Sequence, residues 1–570
     1  MDLQLKRRAN FLLALAAMIS ISSCVFSSKV RNPKRPGSYP KETRKLMLLG
    51  AKSVYRDCYD VHHYSIRMTI DPAKKYIKGQ VAISAKVSSP TDSIQIDLYE
   101  NMKINSISMN GEALSYKRVE GAVFIRLQTV KKEGEYFTLD VNYEGKPEIA
   151  RKPPWNGGFT WKKDKNGLPW TGVSCESEGA SLWWPCKDEM MDEADSVDTY
   201  FTVPSGLMAV SNGNLVKSSI STGSSMYHWH ISYPINNYNV TVYVGNFKLL
   251  QDQYTSAITG KVTALNHYVL PHNFEKASQH FQQVKKHLAF YEKTFGEYPW
   301  QRDGFKLVES PFDGMEHQSA IAYGNGYKND YSIFDYIILH ETAHEWWGNS
   351  VTAADLADAW IHEGFASYCE ALFVESLLGK QEYLSYMGTQ KIFIKNKRPV
   401  VRKRGIRYFD YHDEDIYVKG SWVLHTLRNT IKDDSLFFDI LKTFRTENHM
   451  KQIYSETFVE LVNKKTGKDY NWFFKQYLFR REAPIFEYYW AAEGLYYRWA
   501  STDTDFVMPI TILVNNKSVV LKPSSKVQMI KLNSKDNSFF DNSHELLYGS
   551  KKKKELIKIY QKSRSVHNYI

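Results

Sequence analysis

The stretch "LHETAHEWWGNS", residues 339 to 350, restricts what this chain can fold into more than any other. His340 and His344 stand four apart, with Glu341 directly after the first. On an α-helix residues at that spacing share one face a turn apart, so both imidazoles can reach a single ion. A catalytic zinc takes three protein ligands and keeps one position for water, so a third ligand has to come from elsewhere. Glu363, in "WIHEGFASY", lies eighteen residues beyond His344, in a second helical pattern with Ile361, Phe365, Tyr368 and Leu372 as its apolar stripe. Ser332 to Asp335 form a capping-box-like start for the first helix, and Thr352 to Asp355 offer caps for the second. Gly348 lies between them, so an antiparallel return brings Glu363 beside the histidines. Taken alone, Glu363 reads more readily as a surface carboxylate than as a ligand.

The hydrophobic period divides the rest of the chain. At 570 residues it is too long for one ordinary core. Tyr64, Ile66, Met68 and Ile70 alternate with Ser65, Arg67 and Thr69, and Ile94, Ile96 and Leu98 repeat the alternation of a half-buried strand. Asn110-Gly111 and Asn212-Gly213 are hairpin signals. Residues 51–257 therefore read as an antiparallel β-sandwich domain. Near residue 272 the period becomes helical: Ala277, Phe281, Val284, Leu288 and Tyr291 form a stripe that Gly296 terminates. Helical patterns dominate residues 258–484. After Pro484 short β-rich runs return, giving a small C-terminal β-domain with a lysine-rich tail over 485–570.

The first residues read as an export signal. Lys6, Arg7 and Arg8 precede an apolar run from Phe11 to Ile19, too short for a bilayer span, and then small polar residues. "ISSC" ending at Cys24 resembles a bacterial lipobox, in which the cysteine is lipidated after cleavage. Residues 1–24 would be the signal peptide and 25–50 a basic, Pro-, Gly- and Ser-containing tether. The chain is thus expected to be an exported bacterial lipoprotein, anchored to a membrane through its N-terminal lipid and facing the periplasm or cell surface. The formal charge of +12 is spread over scattered lysines and arginines with no nucleic-acid module around them, so no nucleic-acid partner is expected. Cys58, Cys175, Cys186 and Cys369 form neither a disulfide framework nor a C-x-x-C zinc pattern, and a Cys175–Cys186 pairing stays open.

Together these motifs resemble one family. H-E-x-x-H-x-W-x-G-N, then eighteen residues after the second histidine a Glu within W-x-x-E-G-F-A, is similar to the signature of the zinc aminopeptidases typified by aminopeptidase N and leukotriene hydrolase. The resemblance runs from about residue 58 to 490. It implies an α+β multidomain fold whose central domain is thermolysin-like and mainly helical. It also implies one zinc ion on His340, His344 and Glu363, with Glu341 as general base toward a zinc-activated water and then acid toward the leaving amine. "DGMEH", Asp313 to His317, resembles the family's G-x-M-E-N exopeptidase motif. Glu316 inherits the binding of the substrate's free α-amine, with Gly314 and Met315 beside it; Asp313 and His317 depart from the pattern. "VSCESEGASLWWPCKDE" resembles the segment that supplies a second amine-binding acid, here Glu176. "IYVKG" resembles the Y-E-K-G element, which gives Tyr417 the role of stabilising the tetrahedral intermediate.

The expected function is therefore removal of N-terminal residues from peptides with a free N-terminus. The family's longer members end in a large helical domain; only about 85 residues follow Pro484 here, so a more open cleft is expected. Three rival readings remain: a zinc endopeptidase, a leukotriene-hydrolase-like epoxide hydrolase, and a catalytically inactive surface binding protein.

Overall fold

The computed structural model describes residues 43–330, 333–408, 413–514, 517–532, 539–540 and 544–567. Cys24, the signal segment and most of the tether lie outside them.

The N-terminal part is built on an eight-stranded sheet. Its centre is Tyr59–Asp71, which pairs antiparallel with Tyr76–Val87 and parallel with Ser196–Pro204. That parallel pair is an exception to the antiparallel expectation; its long crossover carries the strands that reach toward the site. Tyr64, Ile66, Met68 and Ile70 are buried as their alternation predicts. A three-stranded sheet (Thr91–Asp97, Ala122–Lys131, Tyr116–Val119) and a four-stranded one share the eight-stranded sheet's apolar core. In the four-stranded sheet, Pro169–Ser174 lies between Gly158–Lys163 and Tyr243–Gly245. Asn110-Gly111 turns a hairpin between Met102–Met109 and Glu112–Ala113. Asn212-Gly213 does not. Met208–Val210 and Asn214–Ser221 belong to different sheets, and Gly213, at φ 71°, carries the chain from one to the other. A Cβ there would lie 2.0 Å from the His230 carbonyl oxygen, so the dipeptide marks a close backbone approach.

The next unit begins earlier than residue 258. Lys248–Thr255 pairs with Val262–Val269, and this hairpin joins Leu307–Glu309, Ile321–Tyr323 and Gly314–Met315 in a five-stranded sheet. The sheet lies among the helices Gln283–Phe295, Tyr336–His344, Trp360–Leu378 and Val418–Ile431, with one apolar core between them. Gly296, at φ 98°, ends the first of these helices. The C-terminal strands form two small sheets whose Phe486, Trp499, Ile512 and Leu521 extend the same core. Beyond them, part of the basic tail forms a helix, Leu556–His567.

Packing starts inside the segment read as tether. Thr43 caps the helix Arg44–Gly50, whose Leu46 carbonyl accepts from the Arg407 amide at 3.0 Å. Arg407 also reaches Asp188 at 3.0 Å and so ties this helix to both larger units. Cys58, Cys175, Cys186 and Cys369 are buried free thiols; Cys175 and Cys186 are not bridged.

Candidate active site

Asp335 is the N-cap of the helix Tyr336–His344 and accepts from the Ile337 and Ile338 amides. It is thus the cap itself; Ser332, read as opening a capping box, lies outside the described residues. His280 at 2.8 Å and the Tyr323 hydroxyl at 2.7 Å hold its other oxygen. The helix ends at His344; Gly348, at φ 120°, reverses the chain, and Val351–Ala353 leads to the helix Trp360–Leu378. Asp355 caps the short turn Leu356–Asp358, and the second helix itself starts at Ala359 without a side-chain cap. That helix is buried all round from Trp360 to Val374, so its amphipathic stripe is lost in a continuous core. Its Gly364 faces Gly420 of Val418–Ile431 so closely that a Cβ on Gly364 would lie 2.9 Å from the Gly420 Cα. The two glycines let these helices touch backbone to backbone, which brings Tyr417, just before the third helix, to the histidines. The Tyr417 and His340 ring centroids are 6.3 Å apart.

His340 Nε2, His344 Nε2 and Glu363 Oε2 form a triangle with sides of 3.1, 3.3 and 3.5 Å. Four-coordinate zinc with bonds of about 2.0–2.1 Å needs donors about 3.3–3.4 Å apart, so the donor set fits that ion. The far side of each ring fixes its orientation. His340 Nδ1 is 2.6 Å from Glu370 Oε1, and His344 Nδ1 is 2.9 Å from the Trp347 carbonyl. Both Nε2 atoms therefore turn their lone pairs inward, as metal-binding histidines do. Glu370 is held in turn by the Tyr386 hydroxyl. Burial disfavours the Glu363 charge, but the histidine hydrogen bonds outweigh it and hold this carboxyl well below its ordinary range. Burial alone would lower His344, yet the Glu316 charge and the Glu363 bond raise it to about 9.

Glu341 lies beside this triangle. One oxygen each of Glu316 and Glu341 and a His344 nitrogen fall within 4.8 Å of one another. Burial pushes the Glu341 carboxyl up to about 8 against the opposing pull of His340 and His344. Gly314, on the edge strand of the five-stranded sheet, lies against it: a Cβ there would stand 2.4 Å from Glu341 Oε1. Met315 is buried next to it.

Glu176 and Glu316 meet across the junction of the two larger units. Both are buried, and an oxygen of each lies within 4.8 Å of the other and of a His362 ring nitrogen. Tyr238 donates to Glu316 Oε1 at 3.3 Å, whereas Glu176 Oε1 has no partner. Burial, then the neighbouring acids Glu316, Glu363 and Glu341, raise the Glu176 carboxyl well above its ordinary value. Glu178 fixes the end of this segment through Asn156 at 2.9 Å and the Gly157 amide at 2.8 Å. Asn349 fixes the other side, donating to the Glu316 carbonyl at 2.9 Å and accepting from Asn239 at 2.8 Å. Asn239 Oδ1 accepts from the Gln318 amide at 3.1 Å. Sequence reasoning missed Tyr238, Asn239 and Glu370. "INNYN" carries no periodic or ligand-spacing signal, and Glu370 could have been found one turn pair beyond Glu363 on the same helix face. His317 bonds Tyr243 at 2.6 Å within the core, and Asp313 is exposed.

The Peptidase M1 N-terminal domain model matches residues 60–238, and the Peptidase family M1 domain model matches residues 279–477. Aminopeptidase B of Mus musculus is 26% identical over 294 residues, which cover 49% of this chain and 43% of that protein. Aminopeptidase N of Haemophilus influenzae is 22% identical over 467 residues, covering 75% and 50%. This chain thus spans about half the length of the curated relatives it matches. A mutant M1 zinc metallopeptidase from Deinococcus radiodurans, solved with a Tyr-Ser-Ala substrate, superposes with a TM-score of 0.63 at 21% identity, covering 75% of this chain and 95% of that one. Both family models match in order, over segments that contain the triangle, Glu341, Glu176 and Glu316, and the chain belongs to peptidase family M1.

Proposed function

We propose that this protein is a zinc aminopeptidase acting on peptides with a free N-terminus. One observation carries the reading. A donor triangle fit for zinc lies next to two buried acids, Glu176 and Glu316, and among the described residues no lysine or arginine forms an ion pair with either. Buried charges need a partner, and an ammonium between two carboxylates makes charge-assisted hydrogen bonds that a blocked N-terminus cannot make. The relatives' names and the Tyr-Ser-Ala peptide of the Deinococcus enzyme support the same class.

His340, His344 and Glu363 would hold the zinc. When bound, zinc acidifies water and polarises a carbonyl oxygen. Glu176 and Glu316 hold the substrate ammonium and so fix which peptide bond lies over the triangle. Gly314, lacking a side chain, lets the substrate backbone approach the edge strand beside Glu341. The Glu341 carboxylate takes the proton released as water attacks and passes it to the departing amine nitrogen. Tyr417 donates its phenolic hydrogen to the developing oxyanion; burial and then the Glu363 and Glu176 charges hold its pKa well above the usual value, so the hydrogen stays in place.

Hydrolysis of matched free and N-acetylated peptides, with and without chelator, tests the reading. Strong preference for the free amine and loss on chelation are expected; equal rates would favour an endopeptidase. Anchoring through Cys24 is a separate proposal, supported by the basic, apolar and "ISSC" order of the first residues. Metabolic labelling with a radioactive fatty acid should mark the wild type and not Cys24→Ser.

A further inference from the structure

His362 occupies a place in this site that neither the zinc nor the clamp explains. It precedes Glu363 on the same helix and is fully buried. Its Nε2 accepts the Ala353 amide hydrogen at 2.8 Å, so Nε2 presents its lone pair to the backbone and Nδ1 carries the ring hydrogen. That Nδ1–H is buried and has no partner. A ring nitrogen of His362 lies within 4.8 Å of an oxygen of Glu176 and one of Glu316, and Glu176 Oε1 is a buried acceptor without a partner. The Tyr238 ring stacks beside His362, with centroids 6.5 Å apart, and its hydroxyl already serves Glu316.

The trio Glu176–Glu316–His362 has the spacing of a metal site, but its imidazole has no lone pair left for a metal. A neutral ring beside two carboxylates leaves a cluster that takes a cation with hydrogens of its own. Buried donors and acceptors are rarely left unmatched, and here two neighbouring side chains each carry one that is.

We infer that His362 is the positioning residue of the amine clamp: its unpartnered Nδ1–H is the donor that Glu176 takes up when substrate binds, and it aims that carboxylate at the substrate ammonium. Glu316 receives the equivalent support from Tyr238, so each clamp acid has one neutral donor behind it. The inference rests on the aminopeptidase reading above.

Two substitutions separate this role from the backbone contact. His362→Asn keeps a donor near the Nδ1 position and loses the acceptor for Ala353; His362→Gln keeps an acceptor near Nε2 and loses the donor. Both are assayed as the zinc-loaded full chain, with zinc content and thermal unfolding measured alongside. For a free-amine peptide, His362→Gln is expected to raise KM about tenfold with kcat within about twofold, and His362→Asn to restore KM toward wild type. The reverse pattern, equal effects in both variants, or no effect in either would overturn the inference. Wild-type activity on the matched N-acetylated peptide tells the two levels apart. Indifference to the acetyl group sinks the aminopeptidase reading and the inference together. A strict need for the free amine with the wrong variant pattern sinks the inference alone.

Discussion

The donor triangle and the amine clamp are neighbours, yet they are built in opposite ways. His340, His344 and Glu363 come from 24 consecutive residues (340–363) on two helices joined by one reversal, and each ring is oriented from the same short stretch of chain: His340 by Glu370 of the second helix, His344 by the Trp347 carbonyl of the reversal. Glu176 and Glu316 come from different units, 140 residues apart, and meet at a junction that Asn349 and Asn239 help to hold. The triangle is complete among the chain's own groups except for its ion. Glu176 and Glu316 are two buried acids whose partner, in the proposed function, is the substrate ammonium. Local geometry suffices to hold a metal, whereas choosing which end of a peptide approaches it requires two domains to agree.

Breaking the triangle should have the largest effect. His344→Ala is expected to lose bound zinc and drop hydrolysis to background, measured by elemental analysis and peptide turnover; a variant that keeps one zinc per chain would remove His344 from the site. Glu341→Ala should retain zinc and lose about 10²- to 10⁴-fold in kcat, so a metal-loaded, inactive protein would separate binding from proton transfer. Breaking the clamp should cost less. Glu316→Gln is expected to lower kcat/KM for free-amine peptides by about 10- to 100-fold, with little change on N-acetylated ones, and Glu176→Gln should do the same. A parallel loss on both substrates would make the clamp acids structural. Glu370→Gln probes the support behind His340 and should weaken zinc affinity by about 10- to 100-fold, read by competition with a chromogenic chelator.

The smallest effects concern pH. In the metal-free protein His344 is raised to about 9 and His340 lies well above its usual value, because neighbouring carboxylates outweigh the burial that disfavours their charge. The neighbouring carboxylates thus favour proton binding at these rings, and zinc competes with protons for them. Zinc affinity should therefore rise with pH, and calorimetry in buffers of different ionisation enthalpy should show net proton release; none would mean the rings are already neutral. The clamp acts in the other direction. It needs a protonated substrate amine, with an unperturbed pKa of about 7.7–8.0, so kcat/KM should fall above that range. A profile that keeps rising would leave the ammonium out of the recognition.

Much of this was legible before any fold was known, for a physical reason. A ligand set on two adjacent helices writes its geometry into spacing, so counting marked His340 and His344 as one face, and the family resemblance then picked out Glu363 as their third partner. The strand alternation around Tyr64 to Ile70 was legible because each side chain answers to one sheet face. Asn212-Gly213 misled because a glycine forced by a 2.0 Å approach to His230 looks the same in sequence as a hairpin glycine. The boundary near residue 258 misled because Lys248–Thr255 has the composition of the preceding strands and differs only in its partners.

By itself the sequence determined the metal-binding helix pair, the acid that follows the first histidine, and the family pattern that points to Glu316, Glu176 and Tyr417. Only the tertiary structure decided that Gly364 and Gly420 let two helices touch and bring up Tyr417, that Tyr238 and Asn349 stand behind Glu316, and that His362, with an unpartnered ring nitrogen, is buried beside Glu176. Spacing along a helix is fixed by its 3.6-residue turn and can be read from the chain. Which groups from distant segments share a buried space depends on how whole sheets and helices pack, and no local pattern records that.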